Sequence, residues 1–137
     1  MGRVLADEEW INPREDGLTR YTRWWLDDPL MVGNLQAQAY KNTKDVKYVY
    51  RGVQFQLSYF TRLRRENGLF HHRVPEWRVS WSRDHGWATM AMAEMLLAMP
   101  SDHALRENLM QEYLITMKTL SKYQHDGGMW GEYIDVR

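Results

Sequence analysis

Seven consecutive residues, 81–87, combine aromatic rings with fixed charges. They read Trp-Ser-Arg-Asp-His-Gly-Trp and are followed by an apolar run over residues 88–99. Indole rings offer flat apolar surfaces for sugar rings, and the planar guanidinium of Arg83 matches a carboxylate with two parallel hydrogen bonds. The segment therefore indicates a site for an acidic sugar. The alternatives are an aromatic loop that closes the end of a helical core and, for Arg83, a local ion pair with Asp84.

A second cluster, residues 24–28, reads Trp-Trp-Leu-Asp-Asp and also precedes an apolar segment. Pro29 follows it, and proline is well suited to the first position of a helix. Asp27 or Asp28 is therefore expected to cap that helix. Asp27 is equally a candidate catalytic residue.

The adjacent histidines 71 and 72 form a third candidate group. On an extended segment their side chains point to opposite sides, so at most one is expected to belong to a site. No His-x-x-x-His or comparable spacing accompanies them. The sequence predicts no metal site and no cofactor.

The composition excludes several classes of protein. Lysine plus arginine equals aspartate plus glutamate at 18 each, and no basic block stands out, which argues against a nucleic-acid partner. The absence of cysteine suits a reducing compartment, and we expect a cytoplasmic protein. The acidic first ten residues lack the apolar core of a signal peptide, and no apolar run is long enough to span a membrane.

Three short segments resemble one another and predict a repeat. In each, Asp or Asn comes one or two residues before a glycine, and a large apolar residue follows that glycine. The three glycines are Gly17, Gly68 and Gly128. Asp-Gly and Asn-Gly are strong turn signals, because glycine adopts positive φ at little cost. The glycines lie 51 and 60 residues apart, a spacing typical of helical-hairpin repeats.

The hydrophobic pattern predicts four long helices inside these units, over residues 29–42, 46–65, 86–99 and 102–124. The first and third are apolar on most sides and are predicted to be inner helices, whereas the second and fourth are amphipathic and are predicted to face solvent. Strand signals are weak, with one short extended piece predicted over residues 74–80. The 137 residues are thus predicted to form a single all-α domain of helical hairpins that make part of an (α/α)6 barrel. A four-helix bundle is the simpler alternative.

Four segments together resemble a known family: residues 24–31, 68–72, 81–87 and 123–130. Their order and spacing are similar to those of the unsaturated rhamnogalacturonyl hydrolases, family 105 of the glycoside hydrolases, and of the related unsaturated glucuronyl hydrolases. The resemblance covers residues 12–135. It implies part of the family's (α/α)6 barrel and a substrate that is an oligosaccharide ending in a 4,5-unsaturated uronic acid, left by a polysaccharide lyase.

The resemblance also implies roles for individual residues. Asp27 would protonate C4 of the vinyl ether, after which water adds at C5 and the product opens to release the neighbouring sugar. Arg83 would bind the uronate carboxylate, and His72 would contact the sugar or position water. Indole rings would form the sugar platform: Trp25, Trp81 and Trp87.

The chain departs from this family in several ways. His85 replaces a common asparagine, Asp84 a small residue and Pro29 a leucine, and the stretch between His72 and Trp81 is short. Six hairpins would need more than twice this length, so we expect a partial copy that is inactive alone, or that associates with itself or with the remainder of the barrel. The alternatives are a non-catalytic helical module that binds sugar or protein, and another α/α-barrel enzyme such as a sugar epimerase.

Overall fold

The computed structural model describes residues 2–75 and 79–136. Across these ranges the chain forms five helices: α1 (Gly2–Glu8), α2 (Asp28–Thr43), α3 (Val46–Leu63), α4 (Ser82–Ala98) and α5 (Arg106–Ser121). Extended pairing in the described ranges is confined to isolated antiparallel bridges. The prediction of an all-α fold is confirmed.

Helices α2 and α3 form a tight hairpin. Lys44 ends α2 in the left-handed conformation with φ of 61°, and its N–H donates to the carbonyl of Tyr40. The Asp45 side chain then accepts from the N–H of Lys47 and caps α3. The sharp reversal therefore depends on backbone and side-chain hydrogen bonds at both helix ends.

Helix α2 packs against both α3 and α4, which places two inner helices side by side with α3 and α5 behind them. Large side chains of α3 fill the space between the layers and are fully buried, among them Phe55, Tyr59 and Phe60. The opposite face of α3 carries the exposed Lys47, Gln54 and Arg62. This packing agrees with the predicted alternation of inner and outer helices.

The three predicted turns have one geometry. Gly17, Gly68 and Gly128 have φ of 78°, 85° and 79°. In each turn the glycine N–H donates to the carbonyl three residues earlier, at 2.8–2.9 Å, and that earlier residue donates its own N–H to the carbonyl of the residue after the glycine. In the first two turns, the side chains of Asp16 and Asn67 also accept from the N–H two residues later. Asp or Asn followed by glycine thus encodes a recurring structural unit.

The segment after each of the last two glycine turns pairs with the segment that leads into an inner helix. The N–H groups of Leu26 and Ser82 donate to the carbonyls of His72 and Glu132 at 2.8 and 2.9 Å. Bridges accordingly join Trp25 to Arg73, and Trp81 to Tyr133. The two arrangements are equivalent, so the repeat includes loops as well as helices.

The start of α4 and the exposure of several apolar side chains differ from the sequence prediction. Helix α4 begins at Ser82 rather than Gly86, because Trp81 is held extended by its bridge and the helix starts directly after it. Met90 and Leu97 of α4 are exposed, and so are Leu114, Ile115 and Met117 of α5. The extended piece predicted over residues 74–80 lies partly outside the described residues.

No helix of the described chain combines the length and the apolarity needed to cross a lipid bilayer.

Candidate active site

Three ionisable side chains meet where α2 and α4 begin. Nδ1 of His72 lies 2.5 Å from Oδ2 of Asp84 and 3.9 Å from Oδ2 of Asp27. His72 and Asp84 are buried, whereas the side chain of Asp27 keeps 23% of its surface exposed. His72 and Asp84 are therefore held inside the protein, and Asp27 is the member of the group that solvent or a ligand can reach.

The repeat geometry explains why these side chains meet. The backbone bond from Leu26 to His72 places Asp27, the next residue, beside the segment after the second glycine turn. Asp84 lies in the first turn of the neighbouring inner helix, α4. Each side chain thus comes from a different element, and all three lie in segments that the sequence pattern singles out.

Asp27 does not cap α2, contrary to one of the two sequence interpretations. Its backbone is already helical, and its side chain makes no capping hydrogen bond. Oδ2 of Asp27 is buried and, among the described residues, has no hydrogen-bond partner. The carboxyl group is thus available for another purpose.

Asp84 is the most buried member of the cluster. Burial raises the pKa of this carboxyl group, and the ion pair with His72 opposes that rise. The 2.5 Å contact is a hydrogen bond, which we assign with the proton on Nδ1 of His72 and Oδ2 of Asp84 as the acceptor. Oδ1 of Asp84 has no partner among the described residues.

The same three residues form a group in which one oxygen or nitrogen of each lies within 4.8 Å of the others, a spacing compatible with metal ligands. A cation would have to displace the proton between His72 and Asp84, since Nδ1 can bind a metal only when unprotonated. The direct 2.5 Å contact fits a proton better than a cation.

Aromatic rings enclose His72. Its imidazole lies 5.4 Å from the ring of Trp25 and 5.8 Å from that of Trp81, in an edge-on arrangement with the latter. The guanidinium carbon of Arg83 lies 3.6 Å from the centre of the Trp81 ring, and Arg83 is exposed. Arg83 therefore stacks on an indole instead of pairing with Asp84, and a positive charge beside an apolar surface faces solvent.

A buried network supports the loop that carries Trp25 and Asp27. Trp24 has φ of 60°, an uncommon value for a side chain of this size. The hydroxyl of Tyr59 accepts from the N–H groups of Arg23 and Trp24 at 3.2 and 3.1 Å and donates to Asp28 at 2.8 Å. Arg23 also donates to Asp28 through its guanidinium. Asp28 therefore holds the strained loop rather than capping the helix.

His85 has a structural environment. Its Nε2 accepts from the N–H of Phe70 at 2.9 Å, so its proton is on Nδ1 and is donated to the carbonyl of Trp81 at 2.7 Å. Burial lowers the pKa of His85 to about 4. This side chain joins the second glycine turn to α4.

The structure brings together five of the six predicted site residues. Asp27, His72, Trp25, Trp81 and Arg83 share one end of the helices. Trp87 is half-buried and lies one helical turn beyond Arg83, so it occupies the same side of α4 without a described contact to His72. The roles of all six remain predictions.

Sequence reasoning missed Asp84, Tyr59 and Asp28 as parts of the site. Asp84 had a signal, because a carboxylate occupies a position where the related family carries a small residue. Tyr59 lies in the middle of α3 and had none, because its spacing fits an ordinary core residue.

Comparisons with known proteins agree with this architecture. Residues 14–137 match the family model described as Glycosyl Hydrolase Family 88. A family 88 glycosyl hydrolase from Bacteroides vulgatus has a similar fold, with a TM-score of 0.80 and 22% identity over 97% of this chain and 40% of that one.

Two further solved structures give the same result. A family 105 glycoside hydrolase from C. acetobutylicum gives a TM-score of 0.76 at 21% identity, over 81% of this chain and 35% of that one. A protein from Salmonella enterica, described as a possible member of family 105, gives a TM-score of 0.79 at 21% identity, over 98% of this chain and 41% of that one. At this identity the likeness concerns the fold, and the chain spans less than half the length of each structure.

The described helices correspond to part of the (α/α)6 barrel of these enzymes. The predicted kinship with the family 105 hydrolases and their relatives is confirmed, and since the family model extends over nearly the whole sequence, the chain belongs to Glycosyl Hydrolase Family 88.

Proposed function

We propose that this protein, associated with itself or with the remainder of the barrel, is a glycoside hydrolase that removes a terminal 4,5-unsaturated uronic acid from oligosaccharides produced by polysaccharide lyases. The observation that supports this proposal most is the environment of the Asp27 carboxyl group. Its Oδ2 is buried without a described partner, yet its side chain is partly exposed beside two indoles. A carboxyl group in that position can carry a proton to a bound ligand.

The proposed reaction begins at the double bond. The Asp27 carboxyl group donates its proton to C4 of the vinyl ether, and positive charge develops at C5 and the ring oxygen. Water adds at C5 while the Asp27 carboxylate takes one of its protons, so the acid is regenerated. The resulting hemiketal opens and releases the neighbouring sugar. No metal or cofactor enters this scheme.

The surrounding groups suit an anionic sugar. Arg83 can bind a carboxylate from its position on Trp81, and the start of α4 adds the partial positive charge of a helix N-terminus. Trp25 and Trp81 offer apolar ring faces at either side of His72. These features favour an acidic sugar over a neutral one.

The replacement Asp27→Asn tests the proposal. It keeps the shape of the side chain but removes the proton donor, so turnover of an unsaturated uronyl disaccharide, followed as lost absorbance of the double bond, is expected to fall about 100-fold or more. Asp102→Asn is the matched control, because Asp102 is exposed beyond the opposite end of α4. Undiminished turnover in the Asp27 variant would contradict the assignment.

A second candidate is a non-catalytic module that binds sugar or protein through its aromatic end. The two indoles beside His72 and the exposed guanidinium of Arg83 favour it, because such groups bind ligands without any chemical step. Binding of the unsaturated disaccharide without turnover by the unsubstituted protein would identify this function, whereas turnover would exclude it.

A further inference from the structure

His72 lies between two carboxylates but donates to only one. Its Nδ1 is 2.5 Å from Asp84 and 3.9 Å from Asp27, and the longer distance is beyond a hydrogen bond. Nδ1 carries a single proton, so Asp84 and Asp27 compete for it. In the structure the hydrogen bond from Nδ1 is to Asp84.

We propose that Asp84 is a positioning residue that keeps the Nδ1 proton of His72 away from Asp27. Oδ2 of Asp27 consequently has no donor pointing at it, and the carboxyl group can hold the proton that the reaction uses. The effect on turnover depends on the proposed function, whereas the location of the His72 proton does not.

The position of Asp84 suits this role. It lies in the first turn of α4, a rigid element, and is completely buried, so its carboxylate cannot turn towards water. His72 follows a glycine turn and is tied to Leu26 through its backbone. Small rotations of the imidazole therefore suffice to change its acceptor.

Other charged groups around the pair have different contacts. On the loop before α2, Arg23 binds Asp28, and its guanidinium also lies over Trp25. Arg83 on α4 stacks on Trp81, and Arg73, beside His72 in the chain, lies over Trp25. Among the described ion-pair contacts, the one that reaches Asp27 comes from the His72 imidazole, at 3.9 Å.

Without Asp84, the imidazole would turn to the remaining carboxylate. A hydrogen bond from Nδ1 to Asp27 would favour the ionised form of Asp27, as donors to a carboxylate generally do. An ionised Asp27 cannot protonate a double bond. Asp84 thereby separates the base from the acid of the proposed site.

The location of the proton can be observed directly by NMR. In protein labelled with ¹⁵N-histidine, the hydrogen-bonded Nδ1 proton of His72 gives a downfield resonance, which is assigned by its loss in His72→Gln. We expect this resonance to persist in D27N and to move in D84A, where Asp27 becomes the acceptor. It should then disappear in the double variant D84A/D27A, which removes both acceptors.

A conservative variant separates charge from hydrogen bonding. In D84N the amide oxygen of the new side chain can still accept the proton, so the resonance should persist with an altered shift. D84N also serves if D84A fails to fold. Loss of the resonance in D27N, or an unchanged resonance in D84A or D84N, would overturn the proposal.

The kinetic test uses the same variants. D84A is expected to lower kcat up to about 100-fold with little change in KM, and D84N to recover most of the loss. Equal kcat values for D84A and the unsubstituted protein would also overturn the proposal. If the unsubstituted protein shows no turnover, the proposed function fails, while the NMR comparison still decides where the proton lies.

Discussion

His72 and His85 are both buried, and they differ in what receives their Nδ1 proton. His72 donates to the carboxylate of Asp84, whereas His85 donates to a backbone carbonyl and accepts from a backbone N–H. A backbone carbonyl cannot neutralise an imidazolium as a carboxylate can. His85 is therefore kept neutral, and its function is to hold the glycine turn against α4.

The neutral state of His85 predicts a pH-dependent stability. In the unfolded chain this side chain binds a proton below its ordinary pKa of 6.5, but in the folded protein only below about 4. Between these values protonation favours the unfolded state, so the contribution of His85 is complete above pH 6.5 and is lost as pH falls towards 4. The loss amounts to about 3 kcal/mol.

The variant His85→Gln tests this, because glutamine does not titrate. We expect its free energy of unfolding, measured with urea at several pH values, to lie closer to that of the unsubstituted protein at pH 4 than at pH 7. A difference that stays constant over this range would show that folding does not lower the pKa of His85.

The sequence indicated the motif over residues 81–87 but not the contacts that its side chains make. Arg83 and Asp84 are adjacent, and an ion pair between them was one reasonable expectation. In the structure Asp84 instead contacts His72, and Arg83 stacks on Trp81. Helix α4 begins at Ser82, so both residues are helical and their side chains point in different directions. The helix start could not be predicted, since it depends on a bridge to Tyr133, 52 residues away.

Among the elements, α3 connects the core to the site. Its Tyr59 is fully buried, and the hydroxyl accepts hydrogen bonds from two backbone N–H groups and donates one to the Asp28 carboxylate. The loop that presents Asp27 therefore depends on one oxygen atom of an outer helix. The sequence pattern predicted the helix correctly but gave no sign of this hydroxyl.

The variant Tyr59→Phe is expected to destabilise the protein by about 1–3 kcal/mol, because it leaves buried donors and a carboxylate short of partners. Urea unfolding measures this change. Tyr50→Phe is the control on the same helix, since Tyr50 is 51% exposed, and its effect should stay within about 0.5 kcal/mol. Equal effects of the two variants would exclude the proposed support of the loop.

For the whole molecule, the exposed apolar residues of α4 and α5 are the main departure from an ordinary surface. Met90 and Leu97 are 48% and 80% exposed and lie two turns apart on one face of α4. Leu114 and Ile115 of α5 add to this exposed apolar area. An apolar surface of this kind favours association.

We therefore expect the chain to self-associate, and Leu97→Glu to weaken the association. Removing one buried leucine from a contact costs about 1.5–3 kcal/mol, which corresponds to a roughly tenfold or larger rise in the dissociation constant. Sedimentation velocity over a range of concentrations measures it, with Val46→Glu on α3 as the control. A monomer at all concentrations would contradict this prediction.

The paired loops have a consequence for how many catalytic centres such a repeat can hold. The backbone bonds that set His72 beside the first inner helix recur at the second, but there the equivalent residue is Glu132. An acidic group at that position cannot supply the basic partner that His72 provides. The scaffold thus recurs without its side chains, and within the described chain one copy of the unit carries the candidate set of Asp27, His72 and Asp84.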